Sequence, residues 1–313
     1  MRIASTNKAI QIQDVGVLLI GYNRPELLEK RILELSKSEV INIYISIDGG
    51  MDSLANDIER LKKLAQNLLK NCKLSFKYHQ KNLGMVPHIT SEISNVLKIH
   101  EYIIVVEDDI QVTNNFFKNV IDGLNYLNKL EARGLVSGYS PFFNSKFKNK
   151  WRKTHIFFCW GWACSRNTWA VYDFNIKNRR VNYELSHSES WQQLNSYQKK
   201  YWLTKIHHSK KHPLFTWDHQ YIFHSFVNNF INLSPVFSMV NNEGFDDNRA
   251  VHTKGKKPRN ISDKKMNNKK IYSMSRFSKL YSLFDFDNNY VRLKFKFNKI
   301  IKGLTKKQPQ QYS

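Results

Sequence analysis

The chain has 313 residues, of which 41% are hydrophobic and 13% aromatic, and it carries a formal net charge of +23. That content is ample for a sizeable core in one large domain or two smaller ones. The first apolar run, residues 15–20, is too short to cross a bilayer, and no secretory or transmembrane segment is predicted. Three cysteines, odd in number and without paired metal spacing, favour buried thiols in a reducing cytosol. We therefore expect a cytoplasmic protein.

From residue 15 to about residue 140, short apolar runs alternate with amphipathic stretches. This βαβα alternation predicts a parallel sheet covered by helices, with ligands bound beyond the carboxyl ends of the strands. Strands are predicted at residues 15–21, 43–47, 74–78, 102–106 and 135–138, and helices at residues 26–36, 54–69, 87–99 and 115–130.

The fourth predicted strand runs straight into three consecutive acids, Glu107, Asp108 and Asp109. Crowded carboxylates repel one another, so a positive partner is expected beside them. A divalent cation bound through one or two carboxylates, with phosphate oxygens completing its shell, fits that requirement. A solvated acidic turn after a core strand is the alternative interpretation.

Polar residues also follow the three earlier strands. Arg24 comes after the first, Asp48 after the second, and residues 79–84, with Asn82 and Gly84, after the third. If the sheet forms as predicted, all four groups line one edge. These residue types suit a nucleotide diphosphate. An arginine can bind phosphate or base, Asp and Asn can bind hydroxyls, and glycine allows close approach of the backbone. Neither G-x-G-x-x-G nor G-x-x-x-x-G-K-[ST] occurs, so a dinucleotide or P-loop site is not supported.

The second half is less periodic and richer in tryptophan. Residues 157–163 place two indoles around a glycine, a pattern that fits core packing or a stacking wall for a sugar or base. Residues 185–206 predict a polar, exposed helix. Asp218 begins another predicted helix and is a candidate general base, with helix capping as its alternative role. His219 is either a packing residue or a ligand.

The last 60 residues carry 17 Lys or Arg and only 3 Asp, a net charge of +14. Basic and aromatic residues together favour contact with an anionic membrane surface. Nucleic-acid binding, a solvated tail, and an edge strand at residues 291–297 used in dimerisation are the alternatives.

The motifs of this chain, taken in sequence order, resemble those of A-type (nucleotide-diphosphosugar) glycosyltransferases. They are most similar to those of bacterial polysaccharide transferases related to the N-acetylglucosaminyltransferase I family. The resemblance extends over about residues 15–253. It consists of Asn23-Arg24, Asp48, His79 with Leu83-Gly84, Glu107-Asp108-Asp109, Phe116-Phe117, Gly161-Trp162, Trp217-Asp218 and His252.

The resemblance implies the GT-A fold, an α/β architecture. This fold has a Rossmann-like, mostly parallel sheet with helices on both faces, plus a smaller acceptor-side region, here with a basic C-terminal tail. The implied domains are an extension at 1–14, a transferase domain at 15–253 and a basic aromatic segment at 254–313. Within the transferase domain, residues 15–140 are the nucleotide-sugar half and residues 141–253 the acceptor half.

The resemblance also implies a role for each matched position. Asp48 would contact the uracil and Asp108 the ribose. Asp109 and His252 would hold Mn²⁺ or Mg²⁺ at the diphosphate, and Asp218 would be the catalytic base. The nucleotide-sugar site as a whole would contain Arg24, Asp48, Asn82, Gly84, Asp108 and Trp162.

We therefore expect a metal-dependent, inverting glycosyltransferase that moves a hexose or N-acetylhexosamine from a UDP-sugar to a hydroxyl of a growing cell-surface glycan. The acceptor would be a glycan or lipid-linked glycan, reached from the cytoplasmic face of a bacterial membrane, with the tail at the anionic surface. A retaining outcome, and a sugar-nucleotide nucleotidyltransferase of the same fold, remain alternatives. A nucleic-acid-binding protein would need basic strand ends, whereas these are acidic, so no nucleic acid is expected as a partner.

Overall fold

The computed structural model describes residues 9–140 and 151–249, and in these ranges the chain forms two sheets and nine α-helices. The strands are β1 (Val15–Gly21), β2 (Asn42–Ile47), β3 (Lys73–Tyr78), β4 (Tyr102–Glu107), β5 (Ile110–Val112), β6 (Leu135–Ser137), β7 (Trp151–Thr154), β8 (Trp162–Ser165), β9 (Asn232–Pro235) and β10 (Val240–Asn242). The helices are α1 (Pro25–Leu35), α2 (Ala55–Leu68), α3 (Met85–Ile99), α4 (Phe116–Lys129), α5 (Arg166–Trp169), α6 (Val181–Ser186), α7 (Glu189–Gln192), α8 (Ser196–Lys211) and α9 (Asp218–Val227).

The large sheet has the order β3-β2-β1-β4-β8-β6-β9-β7. Its first four strands are parallel, and the direction reverses where β8 pairs antiparallel with β4. Strand β1 is buried along its whole length, as its unbroken apolar sequence predicts for a central parallel strand. Val17 and Leu19 belong to one core cluster, and Leu18 and Ile20 to the other.

These two clusters lie on opposite faces of the sheet. Helices α1, α2 and α4 contribute their apolar residues to the first cluster, whereas α3 and α5 to α9 contribute to the second. The expected fold class is therefore confirmed: an α/β protein with a mostly parallel sheet and helices on both faces. The five strands and four helices predicted before residue 140 are also confirmed, with ends shifted by at most two residues.

The prediction of one exposed helix over residues 185–206 is wrong. The chain breaks there twice because two polar side chains start new helices. The Ser188 side chain accepts a hydrogen bond from the Trp191 amide at the start of α7, and Asn195 accepts one from Gln198 at the start of α8. Trp191 of α7 and Trp202 of α8 are buried in the second cluster, so this region is not a solvated rod.

A two-stranded antiparallel sheet was missed by the sequence pattern. Strand β10 pairs with β5, so Asn242 lies opposite Ile110. The amide of Glu243 then donates to the carbonyl of Asp109 at 2.8 Å. A segment far along the chain is thereby fixed beside the acids that follow β4.

Within the ranges described, no helix is both long enough and apolar enough to span a bilayer. The predictions for His252 and for the basic segment 254–313 lie outside the described residues.

Candidate functional site

Four parallel strands bring their carboxyl ends to one edge of the sheet. Backbone hydrogen bonds continue past the strand ends: the amide of Asp48 donates to Gly21 at 3.0 Å, and that of Asp108 donates to Ile20 at 2.8 Å. The amide of His79 likewise donates to Ile47 at 3.0 Å. The polar groups that follow β1, β2, β3 and β4 therefore lie side by side, as the topology requires.

Arg24 lies over the acids at the end of β4. Its Nη1 donates to Asp109 Oδ2 at 3.0 Å and its Nε to Asp108 Oδ2 at 3.3 Å, while Nη2 bonds the other oxygen of Asp108. The side chains of Asp108 and Asp109 are 3% and 12% exposed, so these charge-assisted bonds are largely shielded from water. The structure thus brings three of the predicted site residues into one ion cluster.

The ion cluster holds more negative charge than Arg24 neutralises. Burial raises the pKa of Asp108 to about 7 despite the adjacent guanidinium of Arg24. Burial, followed by the repulsion of Asp109 and Asp108, raises the pKa of Glu107 to about 8. Burial also raises the pKa of Asp109, and Arg24 opposes that rise. A positive partner added to this cluster would relieve the repulsion.

The acids fit a hard divalent cation only in part. Among the residues that the structure describes, no three His, Cys, Asp or Glu side chains converge to hold a metal by themselves. Carboxylate oxygens are nevertheless the ligands that Mg²⁺ and Mn²⁺ prefer, and one or two of them suffice when phosphate oxygens and water complete the shell. The buried carboxylate of Asp109, with its excess of neighbouring negative charge, meets that requirement.

Asp48 holds the loop that precedes α3. One of its oxygens accepts from the amides of Gly49 at 3.0 Å and Leu83 at 2.8 Å, and the other accepts from the amide of Gly84 at 3.0 Å. Gly84 has φ +83°, a conformation that side chains disfavour, and it is the N-cap residue of α3. Asp48 is 5% exposed, so in this structure its carboxylate mainly fixes the backbone of the loop.

Asn82 projects from that loop towards solvent. Its Nδ2 donates to the hydroxyl of Tyr22 at 2.9 Å, and its Oδ1 accepts from the amide of Gly84 at 2.7 Å. Tyr22 is 38% exposed and follows β1 directly. The Tyr22 ring and the Asn82 amide are therefore linked beyond the carboxyl ends of β1 and β3, two residues before Arg24 in the chain.

A second ion cluster supports the first and was missed by sequence reasoning. Arg31 on α1 is 2% exposed, yet its guanidinium reaches Glu34 at 2.8 Å, Glu243 at 3.0 Å and the carbonyl of Asp108 at 3.4 Å. Glu243 also pairs with the exposed Lys30 at 3.3 Å. In the sequence, Arg31 looks like any basic residue of an amphipathic helix that pairs with Glu34 one turn on, and only the position of β10 reveals its pairing with Glu243.

Asp218 is the first residue of α9, and its two carboxylate oxygens have different surroundings. Oδ1 accepts from the His219 amide at 2.8 Å and from the Thr216 hydroxyl. Oδ2 lies 4.0 Å from the thiol of Cys159. The helix-capping alternative is wrong, because the N-cap of α9 is Trp217 and the helix start has no side-chain cap hydrogen bond. Oδ1 bonds the amide of the next residue, while Oδ2 points to a side chain of the site.

Cys159 connects Asp218 with the acids of β4. Burial raises the pKa of the Cys159 thiol well above its usual range, and the charges of Asp218, Glu107 and Asp109 raise it further. Asp218 in turn adds to the rise in the pKa of Glu107. Asp218 therefore lies within electrostatic reach of the strand-end acids. In the sequence, only its place directly before Trp160 in the aromatic segment 157–163 hinted at a role for Cys159.

Trp162 is a core residue in the structure, contrary to the sugar-binding role implied for it. It is 0% exposed and packs against Trp169 and Trp217 at ring-centroid distances of 5.9 and 5.3 Å. It lies on β8 opposite Val105, so its side chain belongs to the second core cluster. Such a buried ring has no free face for a sugar or base, and the packing interpretation holds for it.

Trp160 is placed differently from Trp162. Its ring is only partly buried and contacts Tyr139 at 4.2 Å and Phe245 at 5.7 Å between centroids. Phe245 follows Glu243 in the segment that β10 carries to the site. Tyr139, Trp160 and Phe245 thus come from three distant parts of the chain and form one aromatic group beside the segment that follows β10.

No protein-family model and no curated protein matches this sequence. Among solved structures, the chain is similar to a mannosyltransferase, PcManGT from Pyrobaculum calidifontis in complex with GDP-Man and Mn²⁺, at 15% identity and a TM-score of 0.37. That alignment covers 49% of this chain and 45% of the mannosyltransferase.

Two further structures are similar at about the same level. The glycosyltransferase GlyE of Streptococcus pneumoniae TIGR4 aligns at 12% identity and a TM-score of 0.32, over 71% of this chain and 45% of GlyE. A UDP-glucose pyrophosphorylase complexed with UDP-glucose aligns at 10% identity and a TM-score of 0.28, over 45% of this chain and 62% of the pyrophosphorylase.

Proposed function

We propose that the protein is a glycosyltransferase that takes a sugar from a nucleotide-diphosphate donor and passes it to a hydroxyl acceptor. One observation carries this proposal. The buried acids at the end of β4 hold more negative charge than Arg24 neutralises, and they lie within electrostatic reach of Asp218, a carboxylate with one oxygen available. The first group suits a diphosphate with its counter-charge, and the second suits proton removal from an acceptor. No other cluster among the described residues combines both features.

The donor would bind across the ends of the four parallel strands. The loop held by Asp48 and Gly84 offers Asn82 and Tyr22 to the nucleoside, and Asp108 is suited to a ribose hydroxyl. Arg24 would move from the carboxylates towards the diphosphate, for which a guanidinium is a good partner. In this assignment Asp48 acts by positioning the loop, and its contact with the uracil stays a prediction.

A divalent cation, Mn²⁺ or Mg²⁺, would be held by Asp109 together with oxygens of the donor. When bound, such an ion stabilises negative charge on a departing phosphate. Asp109 is suited to this role because its carboxylate is buried and only partly neutralised. Arg31 and Glu243 fix the backbone on both sides of Asp109, so they would keep its carboxylate in place without touching the donor.

Asp218 is the proposed base for the acceptor hydroxyl. Oδ1 is occupied by the Thr216 hydroxyl and the His219 amide, so Oδ2 is the atom that would accept the proton. Water near the reacting carbon would hydrolyse the donor, and the partly buried Trp160, with Tyr139 beside it, is suited to exclude it. A single base that acts opposite the leaving diphosphate gives a one-step displacement and inversion.

The finer assignments complete the proposal. We infer a UDP-sugar donor, hexose or N-acetylhexosamine, and an acceptor hydroxyl on a glycan or lipid-linked glycan of a bacterial cell surface. The enzyme would act from the cytoplasmic side of the membrane. A sugar-nucleotide nucleotidyltransferase would bind a nucleoside triphosphate and a sugar 1-phosphate at the same strand ends, and it is the alternative that the assay must separate.

The test is thermal denaturation of the purified chain with a panel of nucleotide sugars, free nucleotides and nucleoside triphosphates, with Mn²⁺ or with chelator. A ligand at about 100 times its Kd adds about 2.7 kcal/mol to the free energy of unfolding, which is readily measured. We expect a Mn²⁺-dependent rise with one nucleotide sugar, and hydrolysis or transfer that releases its nucleoside diphosphate. Pyrophosphate release from a triphosphate and a sugar 1-phosphate would instead identify the nucleotidyltransferase, and no shift with any nucleotide would overturn the proposal.

A further inference from the structure

Residues 196–215, which form α8 and most of the loop before α9, make up a strongly basic surface that we call the basic corner. This segment contains five lysines and three histidines but no Asp or Glu. The charge is therefore not an average property of a basic chain. It is concentrated on one helix and one loop of the second half.

The lysines of the basic corner lie mainly on the outside of α8. Trp202 and Ile206 are buried in the second core cluster, whereas Lys200 and Lys211 are exposed on the opposite side of the helix. Within the described residues neither Lys200 nor Lys211 makes an ion pair. Two ammonium groups of the same helix are therefore presented to solvent, and no carboxylate of the described part of the chain neutralises them.

Apolar side chains protrude beside these charges. Leu214 is 60% exposed and Phe215 is 49% exposed, and both follow Pro213 in the loop. The ring of Phe215 packs edge-on against His208 on the outside of α8, with 4.8 Å between centroids. Tyr197, at the other end of α8, is 41% exposed. Apolar and cationic groups thus share one surface.

We propose that the basic corner docks on an anionic lipid surface. Lysines attract acidic headgroups, while a leucine and an aromatic ring on a protruding loop enter the boundary between headgroups and acyl chains. A soluble acidic polymer would be attracted by the same lysines but would gain nothing from exposed Leu214 and Phe215. The pairing of charge with protruding apolar groups is what favours a membrane.

The position of this surface gives the docking a consequence. Helix α8 packs against α9, where the Ser209 hydroxyl lies 3.1 Å from Nδ1 of His219, the neighbour of Asp218. Ser209 is buried on the side of α8 away from Lys200 and Lys211, but the loop with Leu214 and Phe215 runs directly into Thr216, whose hydroxyl bonds Asp218. A membrane that takes up this loop would therefore lie within a few residues of Asp218. This inference goes beyond the proposed transferase activity and does not require it, although it would bring a lipid-linked acceptor to the proposed base.

The experiment is co-sedimentation of the full chain with vesicles of phosphatidylcholine, with and without phosphatidylglycerol. One variant combines Lys200→Gln with Lys211→Gln, and a second combines Leu214→Ser with Phe215→Ser. The matched control combines Lys62→Gln with Lys70→Gln, which removes two exposed charges from α2 and its end, on the opposite face of the sheet. Residues after 253 are present in every protein, so differences report the basic corner alone.

We expect the partition coefficient on anionic vesicles to fall about fivefold for each lysine removed from α8. The Leu214/Phe215 variant should also bind more weakly, and the α2 control should bind as the unmodified protein does. Equal binding by all four proteins would overturn the proposal. Loss in the lysine variant alone, with matching loss of binding to dextran sulfate, would show a polyanion site instead. Unchanged melting temperatures and nucleotide-induced shifts would show that folding and the proposed donor site are unaffected.

Discussion

Nη1 of Arg24 lies 3.0 Å from Oδ2 of Asp109, so an arginine of the chain itself neutralises the carboxylate to which the cation is assigned. The same guanidinium bonds Asp108. A cation that binds at Asp109 must therefore compete with Arg24 or wait until Arg24 turns to the diphosphate. This relationship links cation binding to donor binding, because the donor offers Arg24 a second anionic partner.

The first prediction concerns Arg24→Gln. Removing one partner of a buried ion cluster costs about 3–5 kcal/mol, because the carboxylates stay buried and uncompensated. We expect the variant to be destabilised by that amount in chelator and to recover part of the loss with Mn²⁺. The unmodified protein, whose acids already have a counter-ion, should gain less from Mn²⁺ alone. Denaturant unfolding with and without Mn²⁺ measures both quantities.

Arg60→Gln is the control for Arg24→Gln. Arg60 is 48% exposed and pairs with Glu29 and Asp57 on the surface, where such pairs contribute only about 0–1 kcal/mol. It should change neither the stability nor the response to Mn²⁺ by a measurable amount. If Mn²⁺ stabilised Arg24→Gln no more than the unmodified protein, the acids of β4 would not be a cation site.

The second prediction is a fall in stability with rising pH that depends on Glu107. Its pKa is raised from 4.5 to about 8 in the folded protein, so its favourable contribution is complete below about pH 4.5 and is lost as the pH rises through about 8. Each pKa unit corresponds to about 1.4 kcal/mol, so the free energy of unfolding should fall by a few kcal/mol over that range. Glu107→Gln should flatten this dependence.

The range from about pH 7 to pH 8 isolates this effect, because the pKa of Asp108, raised to about 7, adds a fall of the same sign mainly below that range. Burial lowers the pKa of His88 to about 4, so His88 contributes a dependence of opposite sign, but only at more acidic pH. Glu59→Gln, at an exposed position of α2, is the matched control and should keep the slope of the unmodified protein. An equal slope in Glu107→Gln and in the control would show that Glu107 does not titrate with a raised pKa.

The first half of the fold could be predicted from sequence because its physics is local. Strand β1 consists of residues buried on both faces, and amphipathic helices follow each strand, so the pattern alone defines the elements and the site edge. Arg24, Asp48 and the acids of β4 were expected at one edge for that reason. The only long-range assumption needed was that parallel strands place their carboxyl ends at the same edge of the sheet.

The second half depended on contacts that sequence patterns do not contain. The breaks at Ser188 and Asn195 come from single side-chain caps inside an otherwise helical segment. Trp162 was expected to bind the donor because Gly161-Trp162 matches a motif of the family, but the pairing of β8 with β4 directs its side chain into the core. The pairing of Arg31 with Glu243 is set by β10, which lies about two hundred residues further along the chain.

The third prediction tests the support of the acid cluster by Arg31. Arg31→Met keeps most of the buried aliphatic stem but leaves Glu34 and Glu243 without their shared partner. We expect a loss of about 3–5 kcal/mol in the free energy of unfolding, since Glu34 and Glu243 are partly buried and Glu243 keeps only the exposed Lys30. Burial already raises the pKa of Glu34 while Arg31 opposes the rise, so the loss should be larger at neutral than at acidic pH.

Lys30→Met is the matched control for Arg31→Met. Lys30 is the adjacent residue and pairs with the same Glu243, but its side chain is 53% exposed. Its removal should cost less than about 1 kcal/mol. Comparable losses in the two variants would mean that the buried cluster has no special role in holding the segment after β10 beside Asp109.

The last prediction separates donor binding from chemistry at Asp218. In Asp218→Asn the amide oxygen can still accept from the His219 amide and the Thr216 hydroxyl, so α9 should start as before. The other end of the group becomes an NH₂ that cannot take a proton. We expect the nucleotide-sugar shift in melting temperature to persist and the transfer rate to fall by about 10²–10⁴-fold, the usual contribution of a general base.

Asp173→Asn, an exposed substitution of the same kind in the second half of the chain, should leave both readings unchanged. Near-normal transfer in Asp218→Asn would remove Asp218 as the base. Loss of the donor-induced shift together with transfer would instead assign Asp218 to donor binding. Retained binding with lost transfer is the result that a positioned base requires, because only the proton-accepting oxygen has been changed.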